Sequence, residues 1–291
     1  MPPPPATAVS ALPALPPRAT DSHKGDFGRV LLAVGSRGMS GAAVLCGTSA
    51  LRGGAGLVRL AVPADILPIV AAGNPCYMTA PLPDDGQGRL SPLAEGELVR
   101  LATASDVVAA GPGLGHEPPV GAAVRALLAH FSGPLVLDAD ALNVLAGQTE
   151  ALRGRAVPPV LTPHPGEFAR LLGRKVSADP AERREVAVSF AAEHGVVLLL
   201  KGHGTVVTDG RRVYVNTTGN PGMATGGSGD VLTGLIAALL GQHLEPFAAA
   251  QLGAHVHGLA GDLARDDLGE VPLIATDLIA YLPRALRVVG G

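Results

Sequence analysis

The chain has 291 residues, a formal net charge of −3, 3% aromatic residues and no tryptophan. It carries no long run of lysine or arginine, so it lacks the basic footprint of a nucleic-acid-binding protein. Cys46 and Cys76 are its only cysteines, too few for a disulfide framework or a cysteine-based zinc site, and they favour a reduced, cytoplasmic setting. No apolar run reaches the roughly 20 residues of a membrane-spanning helix. We therefore expect a soluble protein with small-molecule partners, neither membrane nor nucleic acid.

The first twenty residues, MPPPPATAVSALPALPPRAT, are rich in proline and alanine. They have neither a basic start nor an unbroken apolar stretch, so they do not form a signal peptide. Their composition is typical of a disordered or polyproline-like segment. We expect residues 1–20 to be a disordered extension and residues 21–291 to form a single α/β domain.

Short apolar runs then alternate with helical patterns, which indicates a buried, mostly parallel sheet flanked by helices. The predicted strands are RVLLAV (29–34), LVRLAV (57–62), DVVAA (106–110), PLVLD (134–138), PPVLT (158–162) and VVLLLK (196–201). A hairpin around Asp209 and Gly210 follows them. Long helical patterns cover residues 229–241, 246–266 and 274–288.

Polar clusters with glycine or proline follow five of these strands. They are GSRGMSGAA, GPGLG, DADALN, TPHPGE and KGHGT, in chain order. Ligands of open α/β sheets bind outside the carboxyl ends of the strands. We therefore expect the five clusters to meet at one edge of the sheet and to form a site there.

Residues 218–234, TGNPGMATGGSGDVLTG, contain six glycines and then continue into an apolar helical pattern. A glycine-rich loop that opens a helix presents free backbone N–H groups and the positive end of the helix dipole, which together attract phosphate. The sequence thus predicts an anion hole at Gly226, Gly227, Ser228 and Gly229. The alternative is a plain helix start capped by Ser228 or Asp230.

Asp230 follows this loop directly. An ionised carboxylate beside a bound phosphate is repelled, so its presence there favours a general base that takes a hydroxyl proton during phosphoryl transfer. A helix cap is the competing role. For Asp138 and Asp140 a strand-end turn and a helix cap compete with contact to metal or nucleotide.

Three further clusters carry candidate residues. Lys201 ends a buried strand and opens a turn that could hold a nucleotide, although a lysine at a strand end can also simply reach solvent. GPGLG, around Gly113, has the wrong spacing for a dinucleotide fingerprint and is a tight turn or a ligand contact. His164 lies between two prolines that fix its backbone, and its role is structural or ligand-binding.

These motifs resemble the bacterial ADP-dependent NAD(P)H-hydrate dehydratases of the ribokinase-like superfamily. The resemblance runs from about His23 to the C-terminus through HKGDFGRVLLAVGS, SGAAVLCGTSALRGGAGLV, GPGLG, LDADALN, LTPHPGE, KGHGTVV and NPGMATGGSGDVLTG, the last being the most specific. It implies a three-layer α/β/α fold. It also implies repair of hydrated NADH or NADPH, (S)-epimer, with ADP broken to AMP and phosphate.

The resemblance also assigns residues. The hydrated cofactor would contact Ala42, Gly113, His164 and Asp230, with Asp230 as the base beside the hydroxyl. The adenine nucleotide would be held by Lys201, Gly202, His203, Gly204, Thr205 and Gly229. Magnesium would arrive with the nucleotide phosphates, its protein ligands being left open, and a homotetramer is expected.

Many relatives carry an N-terminal epimerase domain, and since only the proline-rich segment precedes the motifs, epimerisation is not expected of this chain. Residues 63–100 contain no motif that we can assign. Two alternatives stay open: a ribokinase-like kinase of a vitamin precursor, whose product would be a stable phosphate ester, and a nucleotide-binding regulator without turnover. A pure binder gains nothing from a carboxylate at Asp230, which argues against the regulator.

Overall fold

Ten strands form one sheet in the computed structural model of the chain, which describes residues 6–290. The strands are β1 (Thr7–Ala8), β2 (Arg29–Ala33), β3 (Leu57–Pro63), β4 (Met78–Leu82), β5 (Val107–Ala110), β6 (Leu135–Leu137), β7 (Val160–Leu161), β8 (Val197–Leu200), β9 (Val206–Thr208) and β10 (Arg212–Val215). Their order across the sheet is β1-β10-β9-β8-β7-β6-β5-β2-β3-β4. Every neighbouring pair is parallel except the two that involve β9. The predicted parallel sheet and the hairpin of β9 and β10 are confirmed.

Helices cover both faces of the sheet. They are α1 (Ser40–Arg52), α2 (Leu67–Ala71), α3 (Ala94–Thr103), α4 (Pro118–His130), α5 (Asp140–Asn143), α6 (Pro165–Leu172), α7 (Pro180–His194), α8 (Ser228–Gly241), α9 (Pro246–Leu268) and α10 (Ala275–Gly290). The side chains of β2 show why its run is apolar after the exposed Arg29: Val30 and Leu32 join the core beneath α1, α2, α8, α9 and α10, while Leu31 and Ala33 join the core beneath α3 to α7. The three-layer α/β/α prediction is confirmed.

The prediction of a disordered extension is wrong for residues 6–20, while residues 1–5 lie outside the described part of the chain. Strand β1 pairs in parallel with β10, and Val9, Leu12 and Leu15 pack against the core. Further along, Arg18 donates to the carbonyl of Gly54 at 2.7 Å. Proline and alanine dominate the composition of this segment, but its few branched residues are spaced so that they cover one edge of the sheet.

Strand β4, within the unassigned segment 63–100, was missed. Its sequence, MTAPL, contains a proline, which a strand tolerates only at an edge or a bulge, and β4 is indeed an edge strand beside β3. The loop after β4 reaches the cluster after β2, where Arg37 N–H donates to the carbonyl of Gly88 at 2.8 Å. None of the helices within residues 6–290 is both long and apolar enough to cross a membrane.

Candidate active site

Five polar clusters meet where the carboxyl ends of the central strands lie side by side, as the sequence predicts. They follow β8, β7, β6, β5 and β2. These five strands are adjacent in that order and parallel, so their carboxyl ends lie side by side. From β2 the chain continues to β3 on one side, whereas β5 continues to β6 on the other, so a topological switch point lies between β2 and β5. Ligand sites of open α/β sheets lie at such a point.

The start of α8 faces this edge with unpaired donors. Within residues 6–290, the N–H groups of Gly226, Gly227, Gly229 and Asp230 donate to no protein acceptor, and Ser228 N–H makes only a long 3.4 Å contact with the carbonyl of the residue three positions earlier. Free N–H groups and the helix dipole together attract an anion. The geometry therefore supports the predicted anion hole.

The alternative of a side-chain cap is wrong. Gly227 precedes the first turn of α8 and no side chain caps the helix. The hydroxyl of Ser228 instead donates to the carbonyl of Met223 at 2.8 Å, and Nε2 of the buried His257 lies 2.9 Å from the carbonyl of Ser228. Both contacts fix the loop without using the free N–H groups.

Four of the six glycines in residues 218–234 have structural causes. Gly219 and Gly227 adopt the left-handed region, with φ of 104° and 91°, which favours glycine. A Cβ on Gly222 would lie 2.6 Å from a backbone oxygen, and one on Gly234 would lie 2.1 Å from the carbonyl oxygen of α1 against which α8 packs. Most of the glycine content thus reflects turns and close packing.

The other two glycines have no such structural cause. A Cβ on Gly226 would meet no atom within 4 Å, and a Cβ on Gly229 would lie 3.2 Å from Lys201 Nζ. Gly229 does not have a positive φ, so its backbone conformation does not require glycine. The missing side chain instead leaves space free beside the backbone. The space beside Gly229 is where a phosphate would approach the N–H groups.

Lys201 does not simply reach solvent. Its Nζ donates to Asp138 Oδ1 at 2.8 Å and lies 3.9 Å from Glu167 Oε2. Asp138 is 1% exposed, and its Oδ2 accepts from Thr233 Oγ1 at 2.8 Å, which joins the sheet edge to α8. Burial alone would lower the pKa of Lys201, but the charges of Asp138 and Glu167 outweigh it and raise that pKa. The ammonium stays charged beside the anion hole.

Asp230 projects from the first turn of α8 into this cluster. Its pKa is raised to about 6, first by burial and then by the charge of Asp138, against the opposing charge of Lys201. Asp140 contributes in the same upward direction. A carboxylate with this pKa is mostly ionised at neutral pH and accepts a proton more readily than an ordinary aspartate. The position and the pKa both fit a general base.

Asp138 forms the strand-end turn considered above, since its carbonyl accepts from the N–H of Ala141 at 3.1 Å, but Asp140 does not cap a helix. Asp140 Oδ2 accepts the N–H of Gly115 at 2.8 Å, and its Oδ1 lies 3.3 Å from Nδ1 of His116. The residue before α5 is Ala139, in the left-handed region with a φ of 50°. The carboxylate of Asp140 therefore anchors the GPGLG loop to the cluster after β6.

Residues 201–205 form a tight turn after β8. Gly202 and Gly204 have φ of 138° and 61°, and the hydroxyl of Thr205 donates to the carbonyl of Gly202 at 2.8 Å. Gly202 and His203 are exposed, while Gly204 and Thr205 are half-buried. From α7, Arg183 binds the turn's carbonyls. The turn presents a bare backbone to the sheet edge beside the anion hole.

Ala42 and Gly113 are brought together at the switch point. A Cβ on Gly113 would lie 3.2 Å from Cβ of Ala42, and both residues are buried. Gly113 has a φ of 68°, so the turn itself requires glycine there. The two residues predicted to contact the hydrated cofactor thus lie next to each other. The space between them is too small for a larger side chain.

His164 has a structural role, one of the two alternatives considered for it, although the sequence reasoning did not identify what that role is. Its Nδ1 accepts from the N–H groups of Gly166 and Glu167 at 3.0 and 3.3 Å, and Glu167 accepts from the N–H of His164 at 2.8 Å. This reciprocal pair is a capping box for α6. The ring is still 51% exposed at the site edge, so a ligand contact stays a prediction. The spacing of His164 and Glu167 in TPHPGE was the available signal.

Thr233 and Arg183 were also missed. Thr233 lies inside an apolar helix, and only the distant Asp138 gives its hydroxyl a function. Arg183 lies in a charged helical run that resembles a solvated face. Neither residue carries a local signal, because each acts through a partner far away in sequence.

The described residues contain no group of three or more histidines, cysteines, aspartates or glutamates arranged to hold a metal ion. Asp138 and Asp140 are already engaged by Lys201 and Gly115. Such donors do not fit a resident metal cage. They do fit a magnesium ion that arrives on a nucleotide, since Mg²⁺ keeps its waters and takes one or two carboxylates together with substrate phosphates.

The fold agrees with that of known proteins. The chain is 34% identical to the ADP/ATP-dependent NAD(P)H-hydrate dehydratase from Bacillus subtilis, co-crystallised with ATP/Mg²⁺, with a TM-score of 0.82 and 95% of each chain covered. A likeness to Arabidopsis thaliana ribokinase, with a TM-score of 0.56 at 12% identity, concerns the fold alone. The predicted ribokinase-like fold is confirmed.

Curated relatives give the same picture. The bifunctional NAD(P)H-hydrate repair enzyme of Moorella thermoacetica is 49% identical over 97% of this chain, which spans 53% of that enzyme. The ADP-dependent (S)-NAD(P)H-hydrate dehydratase of Neisseria meningitidis is 40% identical over 93% of this chain and 88% of its own length. The chain thus spans about half the length of the bifunctional relatives. A family profile described as NAD(P)H-hydrate dehydratase matches residues 30–284, and the chain belongs to the NAD(P)H-hydrate dehydratase family.

Proposed function

We propose that this protein catalyses the ADP-dependent dehydration of the (S)-epimer of hydrated NADH and NADPH, restoring NAD(P)H and releasing AMP and phosphate. The observation that carries the proposal is the pairing of the free N–H groups at the start of α8 with Asp230, whose pKa is raised to about 6. An anion site and a base adjoin on one helical turn. The similar proteins described above, which are NAD(P)H-hydrate dehydratases, supply the substrate class.

In the proposed chemistry, the terminal phosphate of ADP binds the N–H groups of Gly227 and Gly229. Lys201 adds positive charge on the same side, as its distance from Gly229 indicates. The hydroxyl oxygen of the hydrate attacks the terminal phosphorus, Asp230 takes the hydroxyl proton, and the bond to the AMP oxygen breaks. A bound phosphate would raise the pKa of Asp230 further, toward the range in which a general base works best.

The second half of the reaction is elimination. The C–O bond to the new phosphate group breaks and phosphate leaves, the neighbouring ring carbon gives up a proton to solvent, and the ring double bond returns. Phosphate is a far better leaving group than hydroxide, which is the chemical reason for consuming ADP. Magnesium carried on the nucleotide would neutralise phosphate charge.

A direct assay tests the proposal. The protein is incubated with hydrated NADH and ADP, and absorbance of restored NADH is followed together with AMP release. Both products should rise together. A stable phosphate ester of the hydrate without restored NADH would instead indicate a small-molecule kinase, and binding of ADP without any product would indicate the regulator.

Two properties of the whole protein belong to the same proposal. We propose a homotetramer, supported only by family resemblance, and light scattering in solution tests it. We also propose a cytoplasmic location, supported by the free thiols of Cys46 and Cys76. Cell fractionation that recovered the protein outside the cytoplasm would contradict it.

A further inference from the structure

The guanidinium of Arg183 holds three backbone carbonyls behind residues 201–205. Its Nη2 donates to the carbonyls of Leu200 and Lys201 at 2.9 and 2.8 Å, and its Nη1 donates to that of His203 at 3.0 Å. Within residues 6–290 it forms no ion pair with a carboxylate, so carbonyl dipoles alone balance its charge. What this half-buried cation does for the turn follows from the geometry of the backbone that it binds.

The relevant feature is the direction of the peptide groups. The carbonyl and the N–H of one trans peptide unit point in opposite directions. Because Arg183 holds the carbonyl of His203, the N–H of Gly204 points away from the guanidinium. Within residues 6–290 the N–H groups of His203, Gly204 and Thr205 donate to no acceptor. The turn therefore has a carbonyl side bound by Arg183 and a donor side left free, an arrangement that favours anions.

Gly202 and Arg183 depend on one another. Gly202 has a φ of 138°, and a Cβ there would lie 3.0 Å from Arg183 Nη2. The guanidinium can approach the backbone this closely only where the side chain is missing. Thr205 closes the turn from the other end, since its hydroxyl also accepts from the N–H of Gly202 at 3.3 Å. The turn is thus fixed from two sides.

We propose that Arg183 is a positioning residue for the adenine nucleotide, which holds residues 201–205 with their N–H groups facing the bound ADP. The inference rests on the proposed function, since it takes these residues as the nucleotide site. A planar guanidinium reaches three carbonyls at once, whereas the single ammonium of lysine keeps the charge without that fork. Geometry and charge can therefore be separated by substitution.

The test titrates ADP into the wild-type protein and into Arg183→Lys, Arg183→Ala and Arg184→Ala, followed by calorimetry. Arg184 is the matched control, an exposed arginine on the same helix. Hydrated NADH is titrated in parallel without ADP. We expect ADP binding to weaken about tenfold or more in both Arg183 variants, the consequence of losing a hydrogen bond to a charged group. In both Arg183 variants KM for ADP should rise, while the affinity for hydrated NADH should stay unchanged. The Arg184→Ala protein should bind ADP as the wild type does.

Each result decides. Wild-type protein that binds no ADP would overturn the proposed function and this inference with it. If the wild type binds ADP and Arg183→Lys binds it equally well, the positioning role is overturned while the proposed function stands. Equal losses for ADP and hydrated NADH would show a general structural role instead. If Arg183→Ala fails to fold, the Lys variant alone gives the answer.

Discussion

Replacement of Asp230 by asparagine separates its chemical role from any structural one. Asparagine has nearly the same shape, and no side-chain cap of α8 is lost because none exists. The variant cannot accept a proton at neutral pH, and loss of a positioned general base slows a reaction by roughly 10²- to 10⁴-fold. Affinity for ADP should hold or rise, because a negative charge beside the phosphates has been removed.

The same substitution should stabilise the protein at neutral pH. The rise of the Asp230 pKa from 3.8 to about 6 means that the folded state disfavours the ionised form. The pKa shift corresponds to a loss of folding free energy of at most about 3 kcal/mol. This loss is absent below about pH 4, grows as the pH rises, and is complete above about pH 6. The stability advantage of Asp230→Asn over wild type should therefore open between about pH 4 and pH 6 and remain above it.

The assays are thermal melts across that pH window, an ADP titration and the repair reaction, all on one preparation. Asp266→Asn is the control, since it removes an exposed carboxylate that pairs with Arg265 and not with a residue of the site. The reasoning is refuted by near-normal repair in a folded Asp230→Asn protein. It is equally refuted if this variant is less stable than wild type at pH 7.

Three further predictions concern the donor, the anion hole and the base. ADP should support turnover better than ATP, measured with nucleotides freed of cross-contamination, and a strict ATP requirement would contradict this. Gly229→Val should fold, because the nearest atoms to its Cβ are side-chain atoms, Lys201 Nζ at 3.2 Å and Asp138 Oδ2 at 3.6 Å, yet it should bind ADP more weakly by calorimetry. Gly96→Val, where a Cβ meets open space, is its control, and unchanged ADP affinity in Gly229→Val would disprove the site. Asp140→Asn should lower the pKa of Asp230 and move the acidic limb of the pH–rate profile to lower pH; an unmoved limb would refute the coupling.

The parts of the fold that follow from local patterns were predictable. Largely apolar runs predicted the buried parallel strands from β2 to β8, apart from β4, and long apolar periodicity predicted α8, α9 and α10. The strands at the edges were harder. β1 has two residues and β4 contains Pro81, so neither shows the run of branched residues that marks a central strand.

The site divides in the same way. Gly226 to Asp230 could be identified because a glycine-rich loop before a helix has a local chemical meaning. The network of Lys201, Asp138 and Thr233 could not, because its members are 63 and 95 residues apart and only the sheet brings them together. The reason for the glycines was also only half predictable, since packing against α1 is visible only in three dimensions.

The central claim is that the donor phosphate meets the substrate hydroxyl at the start of α8. A crystal structure of the protein with ADP tests it most directly. We predict phosphate oxygens within hydrogen-bonding distance of the N–H groups of Gly227 and Gly229, the adenosine against residues 201–205, and the carboxylate of Asp230 facing the terminal phosphorus. ADP bound elsewhere, with these N–H groups still free, would contradict the account.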